Sequence, residues 1–188
     1  MRRWKSKKDG RNYFGVLLAL IRLVPFELKD YKNLSRWIKN EKELVQFAGD
    51  IFSYPITKSQ MQEYLNDDKR HVFSIFYLDE NIGLGEIYVE NKQRAKLCRI
   101  LIGKKRFRGK GIGEIVVRKL LKKSFEEFGA KRVYLNVFDW NIGAIKCYEK
   151  CGMEIFDTRS NTIKVGDDIW ISVGMEINKT RWEMGNLV

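Results

Sequence analysis

The stretch from Leu101 to Gly113 reads LIGKKRFRGKGIG and joins an apolar run to a segment of helical spacing. Glycines occupy the alternate positions 109, 111 and 113, so the backbone can turn tightly there and expose its N–H groups. The helix predicted to begin at Ile112 directs the positive end of its dipole to the same place. Exposed amides before a helix form an anion site, and the chemistry that this one suits is pyrophosphate binding.

Two common phosphate-binding loops do not fit this stretch. The Walker pattern requires Gly, four residues and then Gly-Lys-Ser/Thr. Here five residues separate Gly103 from Gly109, and Gly111 stands where a hydroxyl would bind magnesium. The dinucleotide fingerprint follows an early strand and requires a third glycine, where this chain has Glu114. Neither a P-loop NTPase nor a dinucleotide-binding protein is predicted.

The positive charge of the chain is concentrated around this loop. The net charge is +12, and residues 92–132 hold fifteen lysines and arginines against three acidic residues. Three interpretations stay open at this point: a solvated basic face, a site for a small polyanion such as a nucleotide or coenzyme, and a nucleic-acid patch.

The beginning of the chain imitates a secretion signal without completing one. Basic residues within 1–11 precede the apolar run Tyr13–Ile21, but Arg22 interrupts it and no small-residue cleavage site follows. The run is also shorter than the ~20 residues of a membrane span. We therefore predict a flexible basic arm over residues 1–12 and a buried first strand over Leu17–Val24.

The composition and the hydrophobic pattern predict one α/β domain over residues 13–188, with antiparallel hairpins flanking a single strand–loop–helix–strand unit. Three cysteines are too few for a disulfide framework, which favours a reducing, cytoplasmic compartment, and one histidine leaves no metal centre to predict. Helices are predicted for Asp30–Lys39, Lys42–Ala48, a segment opening at Thr57, Ile112–Phe128 and Asn141–Lys150. Strands are predicted for Val72–Leu78, Ile82–Val89, Leu97–Ile102, Val133–Phe138, Met153–Phe156 and Asp168–Ile177.

Two motifs separated by a strand resemble those of the GCN5-related N-acetyltransferase (GNAT) superfamily. Arg108-x-x-Gly111-x-Gly113 is similar to its Q/R-x-x-G-x-G/A signature. The segment Asn141–Met153, NIGAIKCYEKCGM, is similar to its N-x-x-A-x-x-x-Y-E-K-x-G-F segment, with only the final residue changed. Two motifs at the expected separation are far more specific than one glycine loop.

The resemblance implies the GNAT fold, an α/β (α+β) domain. Its central sheet is mixed, mostly antiparallel and twisted, with six to seven strands and helices on both faces. The opening from Arg22 to Asp30 resembles the branch that acetylates ribosomal-protein N-termini, together with its polyamine and antibiotic relatives. Relatives are often dimers, so a homodimer is expected as well.

In that family the cosubstrate is acetyl-CoA. The resemblance implies that its pyrophosphate binds the backbone amides of residues 108–113 and that its pantetheine arm lies beside the preceding strand. A gap between that strand and Val133–Phe138 would hold the thioester, and no metal is implied. The implied coenzyme-binding residues are Leu101, Ile102, Gly103, Arg108, Gly109, Lys110, Gly111, Ile112, Gly113 and Asn141.

The resemblance also implies direct acetyl transfer to a primary amine, either a protein N-terminus or a small amine, in a ternary complex. Tyr148 matches the general acid that protonates the departing thiolate. Some N-terminal acetyltransferases have a glutamate base five residues before the motif asparagine, but this chain has Asn136 there, which cannot act as a base. Glu86 is the best substitute, with Glu90, Asp139 or a water chain as alternatives.

The acceptor side is only weakly specified by the sequence. Cys147 and Cys151 are interpreted as buried small hydrophobes, which disfavours transfer through a cysteine. A set of aromatic residues in the first helices suggests an apolar wall: Trp37, Phe47, Phe52, Tyr54 and Tyr64. The nearby acidic residues make only a modest case for a polyamine: Asp50, Glu63, Asp67 and Asp68.

An alternative function is a basic RNA- or ribosome-binding module with a degenerate coenzyme A site. It rests on the arm at residues 1–11 and on the basic helix residues Arg118, Lys119, Lys122 and Lys123. No ordered aromatic–basic RNA motif is visible, so this alternative ranks below the enzyme. No membrane partner is expected.

Overall fold

A seven-stranded sheet organises residues 15–185, the part of the chain that the computed structural model describes. Its strands are β1 (Ile21–Pro25), β2 (Arg70–Tyr77), β3 (Glu80–Asn91), β4 (Arg94–Ile102), β5 (Arg132–Phe138), β6 (Glu154–Val165) and β7 (Asp168–Asn178). The strand order is β1-β2-β3-β4-β5-β7-β6, and only β4 and β5 pair in parallel. The predicted mixed, mostly antiparallel sheet is therefore confirmed.

Helices cover both faces of the sheet, as predicted. Residues 15–20 are helical, and the further helices are α1 (Tyr31–Trp37), α2 (Glu41–Ala48), α3 (Lys58–Tyr64), α4 (Ile112–Lys122), α5 (Ile142–Lys150) and α6 (Lys179–Gly185). Ile115 and Leu120 of α4 are fully buried in one core with strand residues such as Ile87. A second core, on the other side, holds Leu34, Leu44 and Met61 from α1, α2 and α3 together with Leu84 of β3. No helix within residues 15–185 is long and apolar enough to cross a bilayer.

The predicted first strand is wrong in its first half. Residues 15–20 are helical, and β1 begins only at Ile21. Leu17 and Ile21 are both buried, at 5% and 1% exposure, while the residues between them are more exposed. A spacing of four residues between buried positions is typical of a helix. Because nearly all residues of this short run are apolar, its sequence alone does not distinguish a helix from a strand. The basic arm predicted at residues 1–12 lies outside the described residues.

Several other boundaries differ from the prediction by two or three residues, and two differ in a way that matters for the fold. The helix α4 ends at Lys122 and continues as one wide turn, residues 123–127, where the Ser124 hydroxyl donates to the carbonyl of Leu120 at 2.9 Å. Strand β6 runs far past Phe156, to Val165. Most of its side chains are exposed, so it lacks the apolar alternation by which strands are recognised.

Candidate active site

Strands β4 and β5 are joined over a short distance only, and a gap opens in the sheet beyond it. Within residues 15–185 their parallel pairing covers three residues of each strand. A bulge in β4 explains the separation: Leu84 pairs with Leu101 and Glu86 with Cys98, so β4 has one residue more than β3 over this stretch. Arg99, inside the bulge, has a left-handed φ of 49°. Because a bulge bends its strand, the end of β4 turns away from β5.

The glycine-rich loop leads from the end of β4 into α4. Gly109 and Gly111 have φ values of 72° and 79°, and the space where a Cβ would stand on either is open. Gly111 is the N-cap of α4, and within residues 15–185 no side chain accepts a hydrogen bond from the first-turn amides. Arg108 donates from Nε to the carbonyl of Ile102 at 2.7 Å, which holds the loop against β4. The first turn of α4 thus presents free N–H groups to its surroundings.

A cleft of about 740 Å³ lies between this loop, the end of β4, α1 and α5. Of the ten residues predicted to bind coenzyme, eight line the cleft: Leu101, Ile102, Gly103, Arg108, Gly109, Gly111, Gly113 and Asn141. Lys110 and Ile112 do not line it. Lys110 is exposed on the loop, and the Ile112 side chain is buried in the core at 2% exposure, so Ile112 can contribute only its backbone.

Cations outnumber acids around the cleft. Six of its lining residues are basic: Arg36, Lys39, Lys105, Arg108, Lys146 and Lys150. Two are acidic, Glu43 and Glu114. Arg36 and Lys39 were not predicted from the sequence, because they lie far from the glycine loop in the chain and reach the cleft only through the packing of α1 and of the residues that follow it. The cleft therefore favours an anionic ligand.

Asn141 and Tyr148 bring α5 to the edge of the gap. The Asn141 side chain caps α5 by accepting from the amide of Ala144 at 3.3 Å. Tyr148 is partly buried, and within residues 15–185 its hydroxyl has no hydrogen-bond partner. Burial raises the pKa of Tyr148 above its ordinary value, so the phenol stays protonated at neutral pH. A protonated hydroxyl without a partner beside a cleft is suited to donating to a ligand.

A second cavity, of about 270 Å³, lies across the gap and is lined by residues of α2, β4, β5, β6 and β7. Six residues line both cavities: Gln46, Phe47, Ile100, Asn141, Ala144 and Tyr148. The cleft and the cavity thus meet beside Tyr148. Two ligands that enter from opposite sides can touch there.

The geometry does not favour Glu86 as the base. Its side chain is 0% exposed and lines neither cavity. Arg99 donates to both carboxylate oxygens at 2.8 Å, Arg70 donates to Oε1 at 3.0 Å, and the Tyr64 hydroxyl also donates to the carboxylate. A carboxylate held by two guanidinium groups and a phenol is a buried ion-pair centre, away from any acceptor amine.

The other residues considered for the base do not gather at the gap either. Glu90 accepts a hydrogen bond from the Tyr134 hydroxyl and lies 3.8 Å from Arg94. Asp139 is exposed beyond the end of β5 and lines neither cavity. Asn136 does line the smaller cavity, but an amide cannot accept a proton near neutral pH.

The two cysteines of α5 differ from each other. Cys151 is buried at 4% exposure, as predicted, whereas Cys147 is only partly buried and lines the large cleft. The neighbouring thiol of Cys151 lowers the pKa of Cys147. Cys98, at the smaller cavity, has its pKa raised to about 11 by burial. No group of three potential metal-binding residues occurs within residues 15–185.

The predicted acceptor wall is only partly assembled. Trp37 and Phe47 line the large cleft, but Phe52 and Tyr64 are buried in the second core and Tyr54 donates to the carbonyl of Lys39 at 2.8 Å. Three residues of the smaller cavity were not predicted from the sequence: Asn161, Ile163 and Ser172. Asn161 and Ile163 lie on the part of β6 beyond Phe156, which has no apolar alternation, and Ser172 pairs beside them on β7.

The basic face of α4 is largely neutralised by its own helix. Arg118 pairs with Glu114 at 3.0 Å. Lys122 pairs with Glu126 at 3.5 Å and Lys123 with Glu127 at 2.7 Å, and all three pairs are four residues apart. This arrangement weakens the case for a nucleic-acid patch on α4.

The chain belongs to the acetyltransferase (GNAT) family, whose model matches residues 38–153. This range contains both motifs, the β4 bulge and Tyr148. The membership agrees with the resemblance seen in the motifs.

Curated relatives match a shorter stretch. The spermine/spermidine N(1)-acetyltransferase of Bacillus subtilis (strain 168) is 34% identical over 74 residues, 38% of this chain and 48% of that protein. The probable spermine N(1)-acetyltransferase of Bacillus subtilis subsp. natto (strain BEST195) matches to the same extent. The chain thus aligns with about half the length of these relatives.

Solved structures share the fold over nearly their whole length. The spermidine N-acetyltransferase from Vibrio cholerae, solved with CoA and spermine, has a TM-score of 0.75 at 19% identity, with 88% of this chain and 99% of that chain covered. The aminoglycoside acetyltransferase AAC(6')-Ib, solved with coenzyme A, has a TM-score of 0.68 at 21% identity, over 88% of this chain and 99% of that chain.

Proposed function

We propose that the protein is an acetyl-CoA-dependent N-acetyltransferase that moves the acetyl group directly to a primary amine in a ternary complex. The observation that carries the proposal is the gap between β4 and β5, where a large basic cleft and a smaller cavity meet beside Tyr148. A donor in the cleft and an acceptor in the cavity can react there without a covalent enzyme intermediate. The polyamine acetyltransferases among the relatives favour a small amine over a protein N-terminus.

The cleft suits the coenzyme in charge and in shape. The loop amides around Gly109 and Gly111 and the open N-terminus of α4 would bind the diphosphate, assisted by the surrounding lysines and arginines. The edge of β4 that turns away from β5, residues 101–103, would pair with the amides of the pantetheine arm. Asn141, at the start of α5, would contact the same arm.

The chemistry needs few side chains. A neutral amine attacks the thioester carbonyl, and a backbone N–H of residues 101–103 stabilises the negative charge that develops on its oxygen. Tyr148 donates its proton to the departing thiolate. The proton of the amine leaves through water in the smaller cavity, because Glu86 is occupied by its ion pairs, and water returns a proton to the Tyr148 phenolate.

Isothermal titration with acetyl-CoA and a thiol-release assay with primary amines test the proposal. We expect saturable binding of acetyl-CoA and amine-dependent release of CoA. Gly111→Val should abolish binding, because the side chain would occupy the space where the diphosphate approaches the loop. Gly129→Val is the matched control, since Gly129 also has a positive φ, 68°, and open space around it but lies outside the cleft. A dissociation constant of ~1 mM corresponds to a binding free energy of only about 4 kcal/mol. If acetyl-CoA does not bind even at this concentration, the proposal is excluded.

A further inference from the structure

On the basis of that proposed function, we infer that the acceptor is a monoamine with an aromatic body, bound along an aromatic wall formed by Phe138, Trp140 and Trp170. The inference concerns the smaller cavity and its rim. It separates this chain from an enzyme for polyamines, although polyamine acetyltransferases are among its relatives.

The charge of the smaller cavity does not suit a polycation. Among the described residues that line it, Asp50 is the one carboxylate, and it is accompanied by Lys96 and Arg99. Arg99 is paired with Glu86, whereas the Lys96 ammonium lies over the Tyr134 ring at 5.5 Å. A polyamine carries several ammonium groups, and each one that leaves water needs an anionic or hydrogen-bonding partner. One carboxylate provides for one ammonium group.

The rest of the cavity lining is mixed, with more polar than apolar surface. Phe47, Ile100, Phe138 and Ile163 add apolar surface, whereas the side chains of Leu97, Leu135 and Val137 are buried in the core with α4. Uncharged polar groups contribute as well, including Asn136, Asn161 and Ser172. The cavity therefore suits the ammonium end of an amine, and an apolar body needs an apolar surface beside the cavity.

The aromatic wall continues the cavity outward from Phe138. The rings of Phe138 and Trp140 are nearly parallel, with centroids 5.6 Å apart and planes 4° apart. Trp170, on β7, meets both rings edge-on, with centroids 5.1 Å from Phe138 and 5.0 Å from Trp140. These are preferred geometries for aromatic contacts, so the three rings hold one another in place.

Part of this aromatic wall is exposed to solvent. Trp140 is 45% exposed, and Trp170 is only partly buried. Two indoles that are held in place by ring contacts and still face solvent form a surface on which an apolar group can bind. Because the wall begins at a cavity-lining residue, an aromatic amine can place its ammonium group toward the gap and its ring against Trp140.

Competition between simple amines tests the inference. The probes are 2-phenylethylamine, n-butylamine and spermidine, with kcat/KM measured by thiol release. We expect 2-phenylethylamine to be the best substrate. Trp140→Leu should lower its kcat/KM about three- to tenfold, mainly through KM, with little effect on n-butylamine or on acetyl-CoA binding. Trp182→Leu is the control, since Trp182 packs on Phe125 outside both cavities.

A binding measurement keeps this test independent of turnover. 2-Phenylethylamine added to the protein with CoA should quench tryptophan fluorescence in the wild type and less in Trp140→Leu. Quenching without turnover would support the aromatic site while refuting the transferase. A spermidine kcat/KM equal to or above that of 2-phenylethylamine, an equal effect of Trp140→Leu on both monoamines, or preferred turnover of a peptide with an N-terminal phenylalanine would each overturn the inference.

Discussion

The indole of Trp37 fills the space beside the Cα of Gly103, so that any side chain at position 103 would overlap the ring. Trp37 is the last residue of α1, and Gly103 directly follows β4. Both residues line the large cleft. The pair therefore fixes the distance between α1 and the strand end at the point where the cleft is formed.

Gly103→Ala should displace Trp37 and lower the free energy of unfolding by about 1–3 kcal/mol, the usual range for overpacking. It should also weaken acetyl-CoA binding, because the displaced ring moves within the wall of the cleft. Denaturant unfolding and isothermal titration measure the two effects. Gly143→Ala is the matched control: Gly143 also lines the cleft, lies in α5 and has open space around it, so alanine should raise stability by ~0.5–1 kcal/mol. Equal stability of the two variants would contradict this account.

Tyr148→Phe should lower kcat about 10²-fold and leave the affinity for acetyl-CoA nearly unchanged, since only the donated proton is lost. Tyr31→Phe is the control, because the Tyr31 hydroxyl donates to the carbonyl of Ile56 at 2.7 Å, outside both cavities. A fall in the affinity for acetyl-CoA as large as the fall in kcat would argue for a structural role of the hydroxyl.

The pH profile provides a separate test of Tyr148. Burial raises the pKa of this group, and a raised pKa keeps the acid form present at higher pH. The wild-type kcat should therefore show no loss from this residue up to about pH 10, the ordinary pKa of tyrosine. A loss of kcat with a midpoint below pH 9 that disappears in Tyr148→Phe would refute the prediction.

Glu86→Gln should reduce stability by about 3–5 kcal/mol, because it leaves Arg70 and Arg99 buried without their shared anion. Glu80→Gln is the matched control: Glu80 also pairs with two cations, Lys104 and Arg106, but at the surface, where the loss should be ~0–1 kcal/mol. Thermal and denaturant unfolding measure both variants. Unchanged stability of Glu86→Gln with a large fall in kcat would restore Glu86 as the base.

Cys147 should be the first thiol to react with iodoacetamide at neutral pH. The neighbouring thiol of Cys151 lowers the pKa of Cys147, and Cys147 lines the open cleft, whereas burial raises the pKa of Cys98 to about 11. Mass spectrometry of the labelled peptides gives the order of reaction. Cys151→Ala should slow the labelling of Cys147, and bound CoA should protect it. Faster labelling of Cys98 than of Cys147 would contradict the assignment.

The sequence predicted those parts of the site that are local in the chain. The loop around Gly109 and Gly111, its helix, and the positions of Asn141 and Tyr148 depend on spacings within one segment. The bulge at Arg99 was not predictable in this way, because it exists only as a mismatch in register between β3 and β4. The hydrogen-bond partners of Glu86 were not predictable for the same reason, since they come from three separate elements.

The aromatic wall shows the same limit. Trp140 follows β5 and Trp170 lies on β7, and only the antiparallel pairing of these strands brings the two rings together. The sequence instead predicts an acceptor wall of aromatic residues from the first helices, but two of them, Phe52 and Tyr64, are buried in the second core.

The short pairing between β4 and β5 has a mechanical consequence. Hydrogen bonds between these strands hold the β1–β4 half of the sheet to the β5–β7 half at one end only, and beyond that end the two halves are joined through the core that they share with α4. A peptide-like ligand laid into the open end would supply the missing backbone partners on the free edge of β4. Occupancy would then stabilise this part of the sheet, raising the melting temperature with ligand concentration and slowing amide exchange most in the β4 residues that line the open end.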